Sequence, residues 1–194
     1  MTDVAEVSSI PNADVAAGAA AFLAPVVIDL TALVVNGKQA HWHVRGADFI
    51  GVHELLDSIV DHAREWADLA AERVVALGLP IDARLGTVAA NTTVPEPTAG
   101  FRQTNKVIIE VITQIDAALA TVNVAVKELA PLDPVSQDVA IEIARGLDKD
   151  RWFLFAHVDE YRAPETVELT GSRRRALQIP KRDRKSHTSE RRRS

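Results

Sequence analysis

The chain has 194 residues, of which 47% are hydrophobic and only 5% aromatic, with no cysteine and a single methionine. That length predicts one domain with tails to spare, the lack of cysteine excludes disulfides, thiolate zinc sites and cysteine nucleophiles, and the Ala, Val and Leu content suits packed helices better than a sandwich or barrel. The net charge of −5 conceals a division: from Arg173 onward ten Lys or Arg face only Asp183 and Glu190, a balance of +8, while the preceding 172 residues carry −13.

Residues 1–12 read as a flexible N-terminal tail without a basic region before an apolar run, so no leader is expected. An apolar-periodic segment from Asp14, a candidate N-cap, to about Arg45 predicts the first helix. Pro25 within it predicts a kink or a later start. Asp29, Asn36 and Lys38 interrupt the apolar stretch, so no membrane span is expected and the chain reads as cytoplasmic. Gly46 and Asp48 mark a short turn. A second helix is expected from about Phe49 to Leu77, stopped by Gly78 and Pro80.

Between Ile81 and Pro97 lies a long connection with one short helix expected near Arg84 to Ala90. A third helix covers about Gly100 to Leu129, where Val107, Ile108, Val111, Ile112, Ile115, Leu119 and Val122 keep helical spacing. Pro131 and Pro134 separate it from a fourth, from about Val135 to Tyr161. These elements predict an all-α fold over residues 13–162: a ferritin-like four-helix bundle with a short extra helix in the connection between helices 2 and 3. Residues 163–194, rich in Arg, Lys and Ser, read as a flexible basic tail.

Two pairs on the second helix, His53/Asp57 and Asp68/Glu72, carry the chemistry. Each is spaced i,i+4, so each offers two metal ligands from one helix face. From Asp57 to Asp68 is about 16 Å along a straight helix, so one chain cannot close both pairs around one metal. Two antiparallel copies can, if a two-fold axis passes near His62, giving two identical sites per dimer. The chain has no Glu-x-x-His motif, which supports a site at a subunit interface over one inside the bundle. His41, twelve residues before His53, is a further candidate ligand. Taken singly, each of these residues is more simply a capping or solvated side chain; Trp66 and Trp152 read as packing residues and His62 as an exposed or interface histidine.

The run Lys38-Gln39-Ala40-His41-Trp42-His43-Val44-Arg45-Gly46-Ala47-Asp48-Phe49, followed by Val52-His53-Glu54 and Asp57, resembles the Dps family of mini-ferritins, DNA-binding proteins from starved cells. Asp68-Leu69-Ala70-Ala71-Glu72-Arg73 and Leu147-Asp148-Lys149-Asp150-Arg151-Trp152-Phe153 extend the likeness to about residues 14–160. The resemblance implies that His41, His53 and Asp57 of one subunit bind iron, at most two ions per site, with Asp68 and Glu72 of the two-fold partner. It makes Asp57 the anchor of one iron and Glu72 a bridge. Trp42 resembles the family tryptophan beside the site. His43, where the family more often has Asn, is a departure and is given no role.

The resemblance further implies a ferroxidase, with hydrogen peroxide or O2 as oxidant, a ferric oxyhydroxide store, and a hollow dodecameric shell associated with the nucleoid. Asp133, Asp138 and Glu142 fall where family members line a three-fold iron pore; read by themselves, such residues cap or complement a helix N-terminus. In the tail, Arg173, Arg174, Arg175, Lys181, Arg182, Arg184, Lys185, Arg191, Arg192 and Arg193 suit non-specific phosphate binding. Many tails on one shell would act together on DNA. Two other classes stay open: a structural nucleoid-compacting protein with a vestigial iron site, and a hydrolase using metal-bound water on the same shell.

Overall fold

The computed structural model describes residues 13–158; the two tails and the last expected residues of the fourth helix lie outside them. The elements are α1 (Ala13–His43), β1 (Val44–Arg45), α2 (Phe49–Ala76), α3 (Leu85–Asn91), β2 (Arg102–Gln103), α4 (Thr104–Leu129) and α5 (Pro134–Phe155). The four long helices are the expected ones, and α3 is the expected extra helix, one residue later than anticipated.

Leu23, Leu30 and Leu33 of α1 meet Leu56 and Ile59 of α2, Ile108 and Ile115 of α4, and Ile143, Leu147 and Leu154 of α5 in a single core. Each such side chain contributes roughly 2 kcal/mol by leaving water. By length and composition alone, α1 and α4 could each cross a bilayer, even though Asp29, Asn36 and Lys38 interrupt α1. Their apolar faces instead cover one another and the remaining helices, with 44% of each window buried. Helix α1 runs through Pro25 without a break, so a late start is ruled out. Asp14 lies in its first turn and not at the cap, where its charge still meets the positive end of the helix dipole.

Three boundaries differ from the periodicity reading, each for a local reason. Val44 and Arg45 leave α1 to pair in parallel with Arg102 and Gln103, a two-stranded contact that hydrophobic spacing does not encode. The same pairing delays α4 until Thr104, after Gly100 at φ 86°. At the far end of α5, His157 donates to the Asp48 carboxylate at 2.7 Å, and its backbone N–H turns to Leu154. The helix therefore closes at Phe155.

The parallel pairing also fixes the connectivity. Strands β1 and β2 precede α2 and α4, so those helices start at the same end and the connection must return along the bundle. That connection is held by Asp29, buried at 1% exposure in α1. Its carboxylate accepts from Thr92 Oγ1 (2.8 Å), Thr93 N (2.7 Å), Thr93 Oγ1 (2.8 Å) and Thr121 Oγ1 (2.6 Å). Pro95 O accepts from Asn36 and Gln114. The charge expected to interrupt an apolar run is a buried fastener.

Candidate metal centre

His41 closes the last turn of α1, and His53 sits in the second turn of α2. The intervening turn needs Gly46 at φ 113°, where a Cβ would come within 2.3 Å of Gln103 Oε1, and Asp48 at φ 56°. This tight reversal brings the two histidines face to face, with ring centroids 3.6 Å apart and planes inclined by 23°. Nδ1 of His41 lies 3.0 Å from the backbone oxygen of His53, and Nδ1 of His53 lies 3.0 Å from that of His41. A carbonyl can only accept, so both Nδ1 atoms carry a proton, and in the neutral rings both Nε2 atoms keep a lone pair. Such outer hydrogen bonds fix the tautomer and direction of metal-binding imidazoles. No described residue hydrogen-bonds either Nε2.

Asp57 stands one turn beyond His53. Its Oδ1 is 3.7 Å from His41 Nδ1 and 2.5 Å from Nζ of Lys38. The Lys38 hydrogen bond, aided by positive charge at His41 when it is protonated, at Lys38 and at His53 when it is protonated, holds the Asp57 carboxyl below the usual carboxylate range. The ammonium thus engages one of the two carboxylate oxygens a cation could use. Sequence reading missed this partner, although Lys38 precedes His41 by three residues and so shares its face of α1.

Asp68 and Glu72 are exposed on the same unbroken α2, along a shallow groove lined by Ala71, Val75 and Ala76. Neither has an ion pair or hydrogen bond among the described residues. They do not meet His41, His53 or Asp57, and among the described residues no three His, Asp or Glu side chains gather as a metal cage. One subunit therefore offers two partial ligand sets: paired imidazoles with a carboxylate at one end of α2, and two free carboxylates about 16 Å along it.

His62 does not lie on the ligand face. At about 100° per residue it is turned half a circle from His53, and its Nδ1 meets Asp150 of α5 at 3.0 Å. At that height the face shared with Asp57 and Asp68 carries Asp61 and Arg64, paired with each other at 2.7 Å. His43 contacts Gln39 at 2.8 Å and the edge of Phe101. Trp66 packs against Gly146 as anticipated, whereas Trp152 and Trp42 are each 63% exposed.

Of the three acidic residues at the start of α5, Asp133 is the N-cap. It accepts from Val135 N and Ser136 N, and its Oδ2 lies 2.6 Å from Nη2 of Arg73. Burial pushes its carboxyl up, but the Ser136 and Arg73 contacts outweigh that and leave it lowered. This is the capping arrangement, with the carboxylate already engaged. Asp138 and Glu142 are exposed and have no partner among the described residues. The basic positions from Arg173 to Arg193 lie outside the described residues.

The sequence model of the ferritin-like domain matches residues 25–163. The DNA protection during starvation protein of Agrobacterium fabrum is 36% identical over 135 residues, covering 69% of this chain and 82% of that one. The fine tangled pili major subunit of Haemophilus ducreyi is 33% identical over 130 residues, 67% of this chain and 69% of that protein. A solved structure of Dps from Microbacterium arborescens in the high iron form is 58% identical, with a TM-score of 0.74, and covers 76% of this chain and 97% of that one.

Proposed function

This chain belongs to the Dps family of ferritin-like proteins, and from that premise we propose that it oxidises Fe(II) at sites shared between two subunits and stores the ferric product in a hollow shell. The observation that carries the reading is the reciprocal pair of histidines. Two Nε2 lone pairs are held ready beside Asp57, in a ligand set one chain leaves incomplete. Asp68 and Glu72 of an antiparallel partner supply the missing carboxylates, because their spacing from the first pair matches itself under a two-fold rotation.

Iron is here the substrate. Imidazole and carboxylate donors suit Fe(II), and a set this small leaves coordination positions for an oxidant. Hydrogen peroxide takes two electrons, one from each of two Fe(II) ions, so paired oxidation releases no hydroxyl radical. The relative from Microbacterium arborescens was solved in a high iron form, which supports iron as the cargo. Asp138 and Glu142 are the open carboxylates for attracting cations toward a pore; Asp133 acts there through the helix it caps. The names of the starvation proteins support DNA as a partner, and the ten basic residues from Arg173 to Arg193 are the surface suited to it. A twelve-subunit shell near the nucleoid completes the reading.

Mixed assembly tests it. His53→Ala and Glu72→Ala each remove a ligand from every site, so each variant alone should lose Fe(II) oxidation followed by ultraviolet absorbance. Co-refolded in equal amounts, they form heterodimers in which one of two sites is intact, and random pairing restores about a quarter of the activity. No recovery, or full activity in either single variant, contradicts the shared site.

A further inference from the structure

His62 and Asp150 form a second titratable pair that the interfacial site does not use. Asp150 is 1% exposed, and its carboxylate oxygens lie 3.1 and 3.0 Å from Nδ1 of His62. Burial pushes the Asp150 carboxyl up, opposed by the His62 hydrogen bond and by the charges of His62 and Lys149. With Nδ1 donating to this carboxylate, Nε2 of His62 holds the lone pair. The side chain is 42% exposed, and no described residue hydrogen-bonds Nε2. Trp66 lies 5.5 Å from the imidazole and is itself seated on Gly146, where a Cβ would come within 2.0 Å of the indole. The ring is thus oriented by Asp150 on one side and backed by Trp66 on the other.

A carboxylate behind one ring nitrogen and a free lone pair on the other is how metal-binding histidines are held. Glu65 lies three residues on, at a neighbouring position of the helix surface, exposed and without an ion pair among the described residues. We propose that His62 and Glu65 form a second cation site, contained within one subunit, that takes a first-row divalent metal through Nε2 and the Glu65 carboxylate. Water completes the shell and Asp150 orients the imidazole. One nitrogen and one oxygen donor, with no thiolate, select this class of cation over a thiolate-bound one. Lys149 is the nearby competing charge, and its ammonium is 5.4 Å from the Phe153 ring. His62 is set apart from the interfacial ligands, about 8 Å from Asp57 and about 9 Å from Asp68 along α2 and on another side of the helix, whereas Glu65 borders the groove that Asp68 lines.

The test uses the full chain with His41→Ala, His53→Ala and Asp57→Ala, which strips both interfacial imidazoles and their carboxylate. Equilibrium dialysis and visible absorption with Co(II) should still detect one ion per subunit whose binding disappears on adding His62→Gln. Adding Asp150→Asn instead should weaken it by about 10- to 100-fold, since outer-shell partners commonly contribute that much. Absence of Co(II) in the starting variant, survival of binding in His62→Gln, or unchanged affinity in Asp150→Asn each overturns the site. The starting variant already lacks interfacial ligands, so these results do not depend on whether iron is oxidised there.

Discussion

Lys38 turns Asp57, a proposed ligand, from a free carboxylate into a contested one. The ammonium sits 2.5 Å from Oδ1, on a carboxylate that is half-exposed, and an ion pair in that setting is weak and screened. It competes with an arriving cation without blocking it. Lys38→Ala should raise Co(II) affinity at the interfacial site by about two- to fivefold, read by equilibrium dialysis. A fall in affinity would instead mean that Lys38 holds Asp57 in its binding position. The histidines beside it obey a different rule. Their spacing is visible in sequence, but their tautomers follow from carbonyl oxygens that only the reversal at Gly46 brings near. His62 makes the same point in reverse, since its neighbours in sequence suggest the two-fold face and its hydrogen bond ties it to α5.

At the scale of elements, two carboxylates fasten helices. Asp29 collects four donors from the crossover and α4, so Asp29→Ala leaves three threonine hydroxyls and the Thr93 N–H without their shared acceptor. We expect a loss of about 2–4 kcal/mol in urea unfolding, with helix content retained at low urea. A change below about 0.5 kcal/mol would show that the threonines are satisfied otherwise. Asp133 caps α5 and binds Arg73, which adjoins Glu72 on α2. Its folded carboxyl is lowered, so its contribution is complete above the unfolded value of about 3.9 and is lost as pH falls through the lower folded value. Asp133→Asn should therefore flatten the stability profile in that acid window while costing about 1 kcal/mol at neutral pH. A profile with unchanged slope would contradict that account. The four long helices were legible because apolar residues recur at helical spacing over 22 to 31 positions. Their ends were not, because strand pairing at Val44 and the His157 contact are tertiary.

For the whole molecule, the division of charge sets the remaining expectation. An acidic body would repel DNA, whereas the proposed +8 tail, multiplied over the proposed shell, would bind it through counterion release. Truncation after Gly171 should abolish a salt-sensitive gel shift and leave Fe(II) oxidation unchanged; a retained shift would move DNA binding to the body. What the sequence by itself determined was the helical class, the crossover, and the candidate ligand types with their spacing along α2. Periodicity and rise per residue are local properties, and they suffice to show that one helix cannot close both pairs. Only the tertiary structure decided how each candidate residue is held: His41 against His53, Lys38 on Asp57, Asp133 consumed as a cap, and His62 turned toward a buried Asp150. Those outcomes depend on which backbone oxygen or side chain arrives from a distant segment, and helix spacing carries no record of that.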